Sequence, residues 1–225
     1  MDQPVTRSSS LSKGRLLICL IAVYLTGMCI TGDVAIQPIT YLLYDIFPDD
    51  PSFVISLGIT GMAFISAPTG FIAGYLCDRV DKKIVLLVGF ALFTVCGIFG
   101  GAVENAYYFT AMRIGATGIA WGFVNTSALA IIADLFTDED AHARQVGFFT
   151  AVQSVMGVIM GAVAGILAVN GWTYVFYTYF MAVPILILVL FFVPSFPPAK
   201  VVREAEAEGG EAEVAKSSWW VSLIP

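Results

Sequence analysis

Two ionisable side chains sit among residues that are otherwise almost wholly apolar: Asp33 near the end of one hydrophobic stretch and Arg113 near the start of another. A charge held in hydrocarbon costs roughly 2.5–3.5 kcal/mol on insertion scales, so it is rarely idle. Counting along the chain, Asp33 precedes Ile39 by six residues and Arg113 follows Tyr107 by six. At a rise of about 1.5 Å per residue, each lies roughly 9 Å inside the end of its helix. If those two ends share one membrane face, carboxylate and guanidinium can pair. A proton on Asp33 or an anionic group at Arg113 would then break the pair and bias a conformational equilibrium. Arginine keeps its charge, so Asp33 is the only proton carrier of the two. A static pair, or side chains snorkelling to the interface, is the competing reading.

The elements that must position this pair follow from composition. Hydrophobic residues make up 58% of the chain and charged residues 12%, with a mean hydropathy of +0.85, which excludes a soluble domain of this size. A bilayer core about 30 Å thick needs roughly 20 apolar residues in helix. Six stretches qualify, at residues 16–38, 54–76, 84–103, 107–133, 146–169 and 172–193, and only Asp33 and Arg113 are charged within them. Polar or turn-forming segments separate them, among them FPDDPS, CDRVDKK and DLFTDEDAHAR. Residues 1–15 are polar and basic like the front of a signal peptide. The apolar run that follows is too long for one, so they read as a cytoplasmic tail before a retained helix. Residues 16–194 form the six-helix bundle, and residues 195–225, charged and rich in Gly and Ala, read as a disordered cytoplasmic linker.

Charge sets the orientation. Ten of the eleven Lys and Arg fall in the tail, in the loops after spans two and four, or after span six. The remaining one is Arg113, and the opposite loops hold Asp45, Asp49, Asp50 and Glu104 instead. By the positive-inside rule both termini are cytoplasmic, and Asp33 and Arg113 share the outer half of the membrane. Spans one to three and four to six also repeat a pattern: a charge amid glycines in spans one and four, then small residues at four-residue spacing in spans two and five. Those are Gly70 and Gly74, then Gly157, Gly161 and Gly165, with Gly97 and Gly101 repeating the spacing in span three. Glycine at that spacing lets helix backbones approach closely. Because three is odd, the two triplets run in opposite directions, which predicts an all-α membrane protein built as an inverted 3+3 repeat.

The loop between spans two and three reads Gly74-Tyr-Leu-Cys-Asp78-Arg79-Val-Asp81-Lys82-Lys83. It resembles the G-x-x-x-D-R-x-G-R-K signature of the major facilitator superfamily, at the place in the topology where that family carries it. Six spans, inside termini, an arginine in span four and a linker after span six resemble the family's amino-terminal half. The resemblance implies that spans one and four line a central cavity. It also implies that Asp78 and Arg79, with Lys82 and Lys83 fixing orientation, latch a cytoplasmic gate against a second six-helix half. Three departures stand out. Asp81 replaces the family's glycine, a position where Asp tolerates a left-handed turn better than most residues. Glycines follow Arg113 after two and five residues rather than four. Ala162 stands where the antiporter version of span five has proline.

The remaining polar residues are weaker candidates. Gln37, Asn125 and Gln153 line a cavity or bond a neighbouring helix, and Trp121 packs or offers a solute platform. His142 reads as solvated in an acidic loop, while Tyr107, Tyr108, Trp172 and Tyr174 read as an interfacial belt. Cys19, Cys29, Cys77 and Cys96 have no metal or disulfide spacing. No enzyme constellation, phosphate loop, metal site, cofactor motif or nucleic-acid-binding pattern appears. The expectation is a multi-pass plasma-membrane protein that moves a small solute by alternating access, proton coupled, with a second six-helix half on the same or a separate chain. The alternative is a truncated or regulatory fragment without transport of its own, which the chain's ending inside the linker favours.

Overall fold

The computed structural model describes residues 13–196 and Pro198; the tail at 1–12 and the linker from 199 onward lie outside the described residues. Five helices are long and apolar enough to cross a membrane: span one (Gly14–Ile39), span three (Lys82–Phe99), span four (Ala106–Leu135), span five (Glu139–Ala168) and span six (Trp172–Phe192). Span two is a pair, Ser52–Thr60 and Met62–Cys77, bent by 48° at Gly61, and makes a sixth crossing when taken as one broken span. Among the described residues there is no strand.

Two boundaries move appreciably, each for a local reason. Span five starts seven residues earlier than hydropathy places it, at Glu139 instead of 146. Asp138 caps that start, its carboxylate accepting the Ala141 N–H at 2.9 Å. Glu139 and Asp140 then sit in the first turn, where the helix dipole favours negative charge. His142 is therefore a half-buried residue of this helix and not a solvated loop residue, and its Nδ1 is buried with no hydrogen-bond partner among the described residues. Span three ends at Phe99, where Gly100 and Gly101 weaken the helix, instead of running to 103.

Span one is α-helical only over Lys13–Leu25 and tightens to 3₁₀ turns at Thr26–Cys29 and Gly32–Ile39. Gly27, Gly32 and Pro38 are poor helix residues, and the Thr26 hydroxyl donates to the Val23 carbonyl at 2.6 Å, a bond that competes with regular helix geometry.

Spans one and five pack together, as do spans two and four, three and four, five and six, one and six, and three and six. Small residues set the closest approaches. A Cβ on Gly122 of span four would lie 2.3 Å from Thr69 Oγ1 and 2.6 Å from the Gly70 nitrogen of span two. A Cβ on Gly157 of span five would lie 3.0 Å from Thr31 of span one, and one on Gly161 would lie 2.9 Å from Val34. Between spans three and six, rings replace the missing side chains. Tyr179 fills the space a Cβ on Gly97 would need, and Phe176 does the same at Gly100 and Gly101. Buried Phe90, Phe93, Phe109, Phe176 and Tyr179 form the aromatic centre of the core. The four cysteines are free thiols.

Candidate functional site

Arg113 is placed by the start of its own helix. Asn105 caps span four, its side chain accepting the N–H groups of Tyr107 and Tyr108 at 3.0 Å. Asp50, in the loop before span two, accepts the Ala106 N–H at 3.1 Å. Directly after Arg113 the chain widens into a π-helical turn, Ile114–Ile119, with the Thr117 hydroxyl donating back to the Arg113 carbonyl at 2.8 Å. Such turns concentrate at functional sites. Within that turn a Cβ on Gly115 would lie 2.9 Å from Cys96 Sγ of span three and one on Gly118 3.2 Å from Ile65 of span two.

Each nitrogen of the guanidinium has a partner inside the bundle. Arg113 Nη2 donates to Asp33 Oδ1 at 2.9 Å, Nη1 donates to the Tyr179 hydroxyl at 2.9 Å, and Nε donates to the Gly58 carbonyl at 3.4 Å. Met62 Sδ lies 4.0 Å from Nη2. The Tyr179 hydroxyl in turn donates to the Gly32 carbonyl at 2.8 Å. One arginine on span four thus holds spans one, two and six. Buried charges persist when paired and hydrogen-bonded in this way. The two partners differ in access: the side chain of Arg113 is 2% exposed and that of Asp33 33%.

None of the candidate cavity residues is hydrogen-bonded to this pair. Gln37 is exposed on span one; Trp121 and Asn125 are half-buried on span four with no hydrogen-bond partner among the described residues. Gln153 packs against Gly27, and its carbonyl lies 3.5 Å from the Thr31 hydroxyl.

At the opposite end of the bundle the signature loop forms a second cluster. Asp78 caps the end of span two, and Arg79 lies over the Tyr75 ring at 4.1 Å. Lys82 is not an exposed topology anchor: it is 8% exposed and pairs at 2.5 Å with Asp134 of span four, itself 29% exposed. Asp81 has an ordinary negative φ of −55°, so no left-handed turn occurs here. It caps span three instead, accepting the Lys83 N–H at 2.8 Å, and its carboxylate also takes the Phe196 N–H at 3.0 Å and the Ser195 hydroxyl. The Lys82 N–H donates to the Phe196 carbonyl at 3.1 Å, so the segment after span six is bracketed to the start of span three. A Cβ on Gly70 or Gly74 would meet Thr126 at the ordinary contact distances of 3.7 and 3.9 Å, and one on Gly165 would meet open space.

Asp134 yields a directional test. Lys82 cannot reach water and Asp134 can, so removing the acid strands a buried cation. Asp134→Ala is expected to lower stability by about 2 kcal/mol or more, and Lys82→Met by clearly less. Thermal unfolding in detergent compares them, and equal losses would contradict the asymmetry.

Sequence reasoning missed Tyr179, Asp134 and Ser195 as partners. A signal for Tyr179 existed in the Gly97, Gly100 and Gly101 surface, which demands a large flat side chain opposite.

A helical bundle with several apolar spans around a buried ion pair is an integral, multi-pass membrane protein. The chain belongs to the major facilitator superfamily, whose family model matches residues 16–224. It is 32% identical over 121 residues to Multidrug resistance protein Stp of Mycobacterium tuberculosis, covering 53% of this chain and 22% of that protein. It is 30% identical over 178 residues to Putative glycerol-3-phosphate transporter 2 of Arabidopsis thaliana, covering 73% of this chain and 33% of the relative. With Multidrug transporter protein MdtP of Bacillus subtilis it shares 32% identity over 107 residues, 47% of this chain and 19% of the other. The matched part of the chain therefore spans between about a fifth and a third of these relatives.

Proposed function

We propose that the chain is the amino-terminal six-span half of a secondary transporter that moves a small solute across the plasma membrane by alternating access, coupled to protons through Asp33. The observation that carries this reading is the Asp33–Arg113 pair at 2.9 Å, buried on the arginine side and open on the acid side. Protonation of Asp33 removes the charge that holds span one to Arg113. That frees the 3₁₀ segment Gly32–Ile39, already the least regular part of the span, to move. Asp78, Arg79 and the Lys82–Asp134 pair serve the cytoplasmic gate. The helix pairing supports the inverted repeat: exchanging spans one to three with four to six converts the one–five contact into the four–two contact. Ten of the eleven basic residues support cytoplasmic termini. The cavity is completed by a second six-span half, on the same or a separate chain. The relatives' names speak of drugs in two cases and of glycerol 3-phosphate in another.

The test is reconstitution of the full-length protein into liposomes with a pH-sensitive dye inside. Solute-driven proton flux is expected in the wild type and not in Asp33→Asn. Solute movement with undiminished proton coupling in that variant would end the coupling assignment. A six-span chain that stays monomeric by native mass measurement, with no second half and no solute flux, would favour a regulatory fragment.

A further inference from the structure

Resting on that reading of the site, we infer that the solute is a cation with an apolar body, and that Asp33 is the group it meets. Two independent observations carry this. The first is the difference in access within the pair. All three nitrogens of Arg113 are already engaged, and its side chain is 2% exposed, so an anion would have to displace Tyr179 or Asp33 to reach it. Asp33 keeps a third of its side chain open while bonded through one oxygen only. The half-buried Met62 thioether flanks the same guanidinium nitrogen and offers a polarizable apolar wall.

The second observation is the charge around the approach. On the Asp33 side of the bundle, the loops carry exposed Asp45, Asp49 and Glu104, while no Lys or Arg occurs between residues 16 and 78, 84 and 112, or 145 and 199. The basic side chains Arg79, Lys82, Lys83 and Arg144 belong to the other end. An approach lined by one sign of charge concentrates the opposite sign and repels its own. Entrance and site therefore select the same sign, and the burial of Arg113 withholds the one positive group that would reverse it.

The experiment uses the full-length protein in detergent and two probes of one shape and opposite charge, tetraphenylphosphonium and tetraphenylborate. Saturable binding is expected for the cation, weakened tenfold or more by Asp33→Asn and largely retained by Asp33→Glu. No saturable binding is expected for the anion. Absent cation binding, cation binding indifferent to Asp33→Asn in folded protein, or saturable anion binding lost in Arg113→Lys would each overturn the inference. The comparison of probes on the wild type needs no variant, so a misfolded substitution does not remove the test. Asp33-dependent cation binding without proton-coupled flux would leave this inference standing and sink the coupled-transport reading. Coupled flux of an anion would do the reverse.

Discussion

Asp33→Leu is expected to destabilise the protein by about 2–3 kcal/mol, toward the lower end of what is lost when one partner of a buried ion pair is removed, because a third of Asp33 is already solvated. Asp33→Asn is expected to cost less than half of that. The asparagine carbonyl can still accept from Arg113 Nη2, and Tyr179 and Gly58 continue to hold the rest of the fork. Both variants lose the proton carrier, so both should lose coupled transport to the same degree. Stability and coupling therefore separate across the two substitutions. Thermal unfolding in detergent reads the first, and proton flux in liposomes reads the second. If Asp33→Asn were as unstable as Asp33→Leu, the carboxylate's charge and not its hydrogen bond would be what holds span one to span four. If Asp33→Asn kept its coupling, Asp33 would be a structural acid.

That Asp33 and Arg113 could meet was legible in the sequence, because hydropathy and charge place each the same number of residues from the end of its apolar stretch. Five apolar spans, and a sixth where the bent pair Ser52–Thr60 and Met62–Cys77 is taken as one, were legible for the same reason, and the loop at Gly74–Lys83 carried the family. Which residues meet across helices was not legible. Tyr179 lies in a run of aromatics, WTYVFYTYF, in which core rings and lipid-facing rings look alike; only the rotation of span six against Gly97 singles it out. Asp134 looked like part of an acidic loop because four of the seven residues in DLFTDED are acids. In fact the helix runs to Leu135 and restarts at Glu139, leaving three residues between. The Asp81 position misled through its kinship with a glycine. The family's glycine suggests a special backbone, whereas this carboxylate acts as a cap and a bracket on ordinary backbone.

Gly97→Ala is expected to disturb the same site from a helix that contributes none of its polar groups. A Cβ there would lie 2.1 Å from Tyr179 Cδ1 and 2.5 Å from Cγ, distances no packed pair of atoms tolerates. The ring cannot simply slide: Phe93 lies 5.1 Å away centroid to centroid, Phe176 stacks on it, and the hydroxyl is tied to both Arg113 and Gly32. Relief must come from parting spans three and six or from breaking the hydroxyl's bonds, at a cost of about 1–3 kcal/mol typical of overpacking. Tyr179→Phe removes the hydroxyl without moving the ring, and is expected to cost about 1.5 kcal/mol for a hydrogen bond to a charged group. Tyr179→Ala should cost more, but it empties the space that a Gly97 methyl would occupy. In that background Gly97→Ala is expected to cost almost nothing, so the double-mutant cycle shows strong coupling. Unfolding midpoints of the four proteins measure it. Additive losses would mean that the glycine surface serves only the backbone of span three and does not set the ring that holds Arg113.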